Sequence, residues 1–124
     1  RNMANTFKVV TFAAEPNSAG TPYVVYTAGT GVTTVVLGLI LTNINTAQVT
    51  AEVELVSDTG NRGGSNDVTN GTAFLAKDIP IPVGSSVELL SGNKVVLEAT
   101  DQIRIDCSVA DKLSGSLSIM EITA

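Results

Sequence analysis

The sequence predicts an all-β fold, an antiparallel β-sandwich of eight or nine strands for which the jelly roll is a candidate topology. The apolar residues, 44% of the chain, are almost all Val, Ile, Leu and Ala, with only 4% aromatics. β-Branched side chains fit a pleated, half-buried surface. No segment shows a helical apolar period, and short apolar runs alternate with turn residues. The length of 124 residues suits a single domain spanning 1–124.

The first half of the chain predicts four strands: Thr6–Phe12, Pro22–Thr27, Val32–Asn43 and Gln48–Ser57. The leading proline of the second suits a strand start or a sheet edge. The third is apolar on both faces between Val35 and Leu41. This pattern predicts burial on both sides, in the centre of the sandwich or under a neighbouring subunit. The fourth alternates, which predicts that Glu52 and Glu54 are exposed on its outer face.

A glycine-rich segment, Asp58–Gly71, follows the fourth strand and predicts a long loop or an extended hairpin tip. Loops of this length are uncommon in compact domains, which makes functional use or contact with a partner plausible there. Its oxygen-bearing side chains could ligate calcium, but their spacing does not match the known calcium-loop pattern. A solvated loop is the favoured interpretation.

The second half predicts five more strands: Thr72–Ile79, Val87–Leu90, Val95–Glu98, Gln102–Ser108 and Ser116–Thr123. Prolines in Ile79-Pro80-Ile81-Pro82 hold the chain extended after the first of them. The joins Ser91-Gly92-Asn93 and Ala99-Thr100-Asp101 are short enough for hairpins. In the last strand the apolar side switches after Ile119, which predicts a bulge or burial of both faces.

Composition excludes several classes of function. With a net charge of −5 and only seven scattered Lys and Arg, the chain is not expected to bind nucleic acid or an anionic membrane. No apolar run is long enough to span a bilayer. The absence of His removes the common general base and zinc ligand. We therefore expect no enzyme, no cofactor and no metal.

Two remaining reactive groups have ordinary structural interpretations. The only cysteine, Cys107, lies on the apolar side of an alternating strand and is expected to be a small buried hydrophobe, unpaired as in a reducing cytoplasm. Carboxylates alone can hydrolyse glycosides. However, Asp101 and Asp106 flank the strand that contains Arg104, and an exposed Arg–Asp ladder is the expected arrangement.

Three phrases in order, DIPIPVGSSVELL, KVVLEATDQIRI and LSIMEIT, resemble the second half of small virion structural proteins of tailed bacteriophages, especially those of aquatic bacteria. The opening MANTFK and the strand TTVVLGLILTNI are also similar to members of that group. The glycine-rich Asp58–Gly71 departs from the shorter hairpin of such proteins. The resemblance implies a β-sandwich subunit in the virion, assembled in the host cytoplasm, with no catalytic residues.

Within that resemblance, a capsid decoration or cement protein that binds the major capsid protein is favoured, because the chain has neither a coiled-coil stalk nor repeats. The alternative is a neck, tail or fibre-associated module. A homo-oligomer, with a trimer favoured, would cover the large uncharged surface that a charged content of only 15% implies. The candidate contacts are Val35, Val36, Leu37, Leu39, Ile40, Met120, Ile122, Asn61, Arg62 and Asn66.

A carbohydrate-binding β-sandwich is a more remote alternative. Such a protein normally exposes Trp or Tyr to stack on sugar rings. This chain has no Trp, and its only tyrosines are Tyr23 and Tyr26.

Overall fold

The computed structural model describes residues 4–57, 71–90, 92 and 95–123. These residues form nine β-strands in two antiparallel sheets, which confirms the predicted sandwich. The strands are β1 (Ala4–Glu15), β2 (Tyr23–Thr27), β3 (Val32–Asn43), β4 (Val49–Ser57), β5 (Gly71–Ile81), β6 (Ser86–Leu89), β7 (Val95–Leu97), β8 (Gln102–Cys107) and β9 (Leu113–Thr123).

The strand order confirms the jelly roll. Sheet A has the order β1-β9-β3-β6, with β7 also paired to β3, and sheet B has the order β2-β8-β4-β5. The first strand therefore pairs with the last, the second with the next to last, and so on inward to β4 and β5. An antiparallel ribbon folded over on itself into two sheets gives this pattern, with β6 and β7 together acting as one interrupted strand.

The two predicted hairpins are wrong. β6 and β7 both pair with β3, β6 along Leu39–Thr42 and β7 along Thr34–Val36, so they lie end to end rather than side by side. β7 belongs to sheet A and β8 to sheet B, so residues 99–101 cross between the sheets. At this corner Thr100 has a φ of 71°, and its amide donates to the Ala28 carbonyl at 2.9 Å. A connection of three residues can therefore link two strands of different sheets as well as two strands of one hairpin.

The core lies between the inner faces of the two sheets. Its fully buried side chains include Leu41, Leu117 and Ile119 from sheet A and Ile103 and Ile105 from sheet B. Each such side chain contributes about 1.5–3 kcal/mol when it leaves water. Cys107 is part of this core, as predicted, and burial raises the pKa of its thiol.

Candidate interaction surface

The outer face of sheet B is charged, and its charges are paired within the chain. Lys77 Nζ lies 2.8 Å from Glu52 Oε1, and Arg104 Nη2 lies 2.8 Å from Glu54 Oε1. Glu54 is only 7% exposed, so its predicted exposure is wrong. Alternation placed Glu54 on the correct face, but the guanidinium of Arg104, its cross-strand partner, covers it.

The predicted exposed Arg–Asp ladder is also wrong. Asp106 is 8% exposed, and its Oδ1 accepts hydrogen bonds from the amides of Gly20 at 3.2 Å and Cys107 at 2.8 Å. Asp101 is buried at the corner before β8, where its Oδ2 accepts a hydrogen bond from the Glu98 amide at 3.1 Å. Both carboxylates therefore hold loops and turns in place.

A small acidic depression of about 190 Å³ lies beside this face, lined by Glu52, Asp78 and Asp106 among others. Glu52 is ion-paired with Lys77, and Asp106 accepts two backbone amides. Both carboxylates are thus committed to structural contacts. Among the described residues, no cluster of three or more Asp, Glu, Cys or His could hold a metal ion.

The outer face of sheet A carries a row of apolar side chains that crosses four of its five strands. The register pairs Phe7 with Met120, Met120 with Val35, and Val35 with Val96. Directly paired residues on neighbouring antiparallel strands project on the same side of the sheet. Phe7 is 71% exposed and Val96 is 53% exposed, while the two central residues are half-buried.

Further apolar side chains extend this row into a patch. Val9 and Ile40 are exposed on the same face of the sheet to one side of the row, and Ile122 is half-buried to the other side of it. A shallow depression of about 260 Å³ lies next to the patch, where the bulge at Leu37 and Gly38 faces small serine side chains. We refer to Phe7, Val9, Val35, Val96, Met120 and Ile122, with Ile40 and this depression, as the apolar face.

Acidic groups border the apolar face. Glu88 pairs with Ile40 at one end, and the Glu98 carboxylate accepts a hydrogen bond from the Thr33 hydroxyl at 3.3 Å at the other. The cation nearest in sequence, Lys8, belongs to the opposite side of β1, because it pairs with the core residue Ile119. In the part of the chain that the structure describes, the register places no Lys or Arg on this face.

The structure brings together part of the predicted contact set. Val35, Ile40, Met120 and Ile122 share the apolar face, and Leu37 lines its depression. Val36 and Leu39 are corrected: both are 0% exposed, because the register pairs them with the core residues Ile119 and Leu117. Their side chains point into the core. The remaining predicted contacts, Asn61, Arg62 and Asn66, lie outside the described residues.

Sequence reasoning missed Phe7, Val9 and Val96. The first strand has apolar residues on both of its faces, with Phe7 and Val9 on one face and Val10 and Phe12 on the other. Val35–Leu41 carries the same signal, apolar residues on both faces, so this pattern could have identified β1 as well. Val96 offered no such signal, because its strand has only three residues.

A polar cluster joins the two sheets near the β1 edge. The Tyr26 hydroxyl on β2 donates to Glu121 Oε2 on β9 at 2.6 Å and lies 2.8 Å from the Thr34 hydroxyl on β3. Lys8 Nζ on β1 lies 2.7 Å from Glu121 Oε1. Burial and the bond to Glu121 raise the pKa of Tyr26 to about 12. The bonds from Lys8 and Tyr26 lower the pKa of Glu121.

Neither tyrosine is arranged as an open stacking platform for sugars. The Tyr26 hydroxyl belongs to the inter-sheet cluster, and both rings pack against the core. The Tyr23 ring lies 6.0 Å from the Phe12 ring, centroid to centroid. This geometry gives no support to the carbohydrate-binding alternative.

Comparison with protein-family models and with curated proteins finds no match to this chain. Among solved structures, it is similar to a chain of infectious bursal disease virus, Gx strain, with 12% identity and a TM-score of 0.50 over 97% of this chain and 33% of that one. It is also similar to a chain of the Bacillus endospore appendages, described as disulfide-linked pili, with 15% identity and a TM-score of 0.46 over 98% of this chain and 88% of that one. A third chain, from the VP2 subviral particle of infectious bursal disease virus, has 11% identity and a TM-score of 0.43 over 96% of this chain and 32% of that one.

The present chain thus spans about a third of the length of the two viral chains. At 12% identity, the likeness to the Gx-strain chain concerns the fold alone. No helix among the described residues is long and apolar enough to cross a membrane.

Proposed function

We propose that this chain is a non-enzymatic structural protein of a tailed-bacteriophage virion, built as one sandwich domain over 1–124. Within that class, we propose a capsid decoration or cement protein that binds the major capsid protein through the apolar face. The observation that carries the proposal is the contrast between the two outer faces. Sheet B pairs its own charges, whereas sheet A exposes a row of apolar side chains across its whole width.

An exposed apolar face of this kind supports a binding role. Contiguous apolar patches on soluble proteins commonly mark interaction sites. Phe7, Val9 and Val96 are all more than half exposed, and each would contribute about 1.5–3 kcal/mol if a partner buried it fully. The outer face of sheet B offers less. It exposes Val24 and Phe74, but burying the ion pairs beside them under a partner would cost desolvation energy.

The charges around the apolar face indicate the chemistry of the partner. Glu88 and Glu98 lie at its two ends, and the whole chain carries a net charge of −5. A complementary partner therefore has an apolar centre with Lys or Arg at its rim. Rim charges act mainly on the association rate. Association should accordingly be slower at high salt, while the apolar contact persists.

Quantitative mass spectrometry of purified particles tests the virion assignment. Hundreds of copies per particle support capsid decoration, and a few dozen copies or fewer support the alternative of a neck, tail or fibre module. Absence of the chain from the particle would contradict both.

A pair of matched variants tests the apolar face. Val96 and Val83 are equally exposed, at 53% and 54%, but Val83 lies in the turn between β5 and β6, outside the apolar face. Val96→Lys should weaken rebinding to particles stripped of this protein, and Val83→Lys should not. Equal binding by both variants would show that the face is not the contact.

A further inference from the structure

Three of the four open sheet edges in the described residues carry protection against pairing with another chain. Natural sheets guard their edges with prolines, bulges and short strands. β2 has only five residues and a register shift between Val24 and Tyr26. β5 contains Pro80 and, at Asp78, a residue with a φ of 50° beside its register shift. The fourth strand position of sheet A is split between β6 and β7, of four and three residues.

The edge formed by β1 has none of these features before its register shift between Phe12 and Glu15. Its register with β9 is unbroken from Ala4 to Phe12, and this stretch contains neither proline nor glycine. The single charge of this stretch, Lys8, lies on the inner side of the sheet. An inward-pointing lysine can guard an edge, but Glu121, 2.7 Å away, offsets the charge of Lys8. No other described strand pairs with the second side of β1. Alternate residues of β1 therefore direct their amide and carbonyl groups away from the sheet.

We infer that β1 pairs antiparallel with β1 of a second copy of this chain, so that two A sheets join into one continuous sheet. The inference deepens the proposed function and rests on it, since it names the mode of self-association of the proposed virion subunit. An antiparallel two-fold contact uses the same strand on both sides, so each copy supplies the donors and acceptors that the other needs.

The side chains of β1 select the centre of this pairing. A two-fold axis at Lys8 would place two ammonium groups opposite each other, which is unfavourable. An axis at Val9 or Phe7 avoids this and pairs Lys8 with Val10 or Thr6. In either register, exposed apolar side chains from the two copies meet across the new strand pair on the outer side.

Pairing at β1 has two consequences for the assembly. It makes the two apolar faces one continuous surface, because Phe7 and Val9 lie both on that face and on the joining strand. A bivalent surface of this kind binds a repeating partner more tightly than either half alone. After pairing, the β1 edge of each copy is occupied and cannot pair with a third copy. The contact therefore gives a dimer or another even-numbered assembly in place of the trimer favoured from sequence.

Amide hydrogen exchange on the full chain tests the strand pairing directly. Between dilute and concentrated protein, amides of β1 should gain protection at alternate residues only, because only outward-directed amides acquire new acceptors. Protection that does not change with concentration, or that changes on the apolar face without this alternation, would overturn the inference.

Single-cysteine cross-linking fixes the register. Phe7→Cys or Val9→Cys should form a disulfide-linked dimer on mild oxidation, whereas Val96→Cys, on the same face but the opposite edge, should not. The native Cys107 is buried and does not compete. Cross-linking at Val96 alone would instead indicate face-to-face stacking and would overturn the pairing at β1.

Light scattering with two lysine variants separates this inference from the proposed function. The double variant Phe7→Lys, Val9→Lys places one lysine opposite its own copy in either register and should weaken dimerisation about tenfold or more, through repulsion across the pair. Val96→Lys should leave the dimer intact while it weakens particle binding. A wild-type trimer, or a wild-type monomer at high concentration, would refute the pairing at β1. Neither result would alter the copy number in the virion, which tests the proposed function on its own.

Discussion

Replacing Tyr26 with Phe removes one oxygen atom from the contact between the two sheets and leaves the aromatic ring in place. That oxygen donates its only proton to Glu121 Oε2 at 2.6 Å, so the hydroxyl of Thr34, 2.8 Å away, is the donor of the second bond. Both bonds connect β2 of sheet B with strands of sheet A. The variant therefore measures what this polar cluster contributes to holding the sandwich closed.

The free-energy cost follows from the surroundings of the two partners. A hydrogen bond to a charged group contributes about 1.5–3 kcal/mol and one between neutral groups about 0.5–1.5 kcal/mol. The Glu121 side chain is 16% exposed and keeps its bond to Lys8, so water recovers part of the first loss. Thr34 is 0% exposed, so no water can replace the hydrogen bond that its hydroxyl loses. We expect Tyr26→Phe to destabilise the fold by about 2 kcal/mol.

Urea unfolding at neutral pH measures this change. With an m-value of about 2 kcal/mol per molar urea, the midpoint should fall by about 1 M at unchanged m. Tyr23→Phe is the matched control, because the Tyr23 ring packs on Phe12 and no hydrogen bond of its hydroxyl is seen among the described residues. The reasoning is refuted if the two variants unfold at the same urea concentration. A tyrosine titration adds an independent check, since Tyr26→Phe should remove a step at about pH 12.

Three further outcomes are expected. Gly115→Ala should destabilise the fold by about 3 kcal/mol, because a Cβ at this position would collide with the β3 backbone and an aromatic ring. Gly38→Ala is the control, since a Cβ there meets only one atom, at 4.0 Å. Equal melting temperatures for the two variants would contradict this. Arg104→Met leaves the carboxylate of Glu54, which is 7% exposed, without its ion-pair partner. Because the Arg104 side chain is 28% exposed, we expect a cost in urea unfolding of about 3 kcal/mol, at the low end for a buried ion pair. A change below about 1 kcal/mol would mean that water solvates the carboxylate. Because the folded state lowers the pKa of Glu121, its contribution is present above the ordinary pKa of 4.5 and is lost as the pH falls through the lower folded value. Glu121→Gln should therefore flatten the acid limb of a stability–pH curve, and an unchanged limb would exclude this role.

The fold could be predicted from sequence because its signals are local. Short β-branched runs and turn residues located all nine strands, and the buried Cys107 followed from alternation. The hairpins around β7 could not be predicted correctly, since the length of a join does not say which sheet the next strand enters. In the same way, alternation assigned Glu54 to a face but could not show that Arg104, fifty residues later, covers it.

The interaction surface was only partly predictable for the same reason. Val36 and Leu39 looked equivalent to Val35 in an apolar run, and only the register with β9 separates inside from outside. The row itself joins four strands that are far apart in sequence. Pairing across the sheet, and no property of any one segment, brings Phe7 next to Met120 and Val96 next to Val35.

The ion pairs on sheet B have a consequence for how thick a coat made of this subunit could grow. With the apolar face turned toward the particle, each subunit would present to the solvent the side on which Lys77 neutralises Glu52 and Arg104 neutralises Glu54. An arriving copy would find there only the separate apolar side chains of Val24 and Phe74, 38% and 50% exposed, and no unpaired charge among the four ion-paired residues. A second layer would therefore bind more weakly than the first, which favours a coat that is one subunit thick.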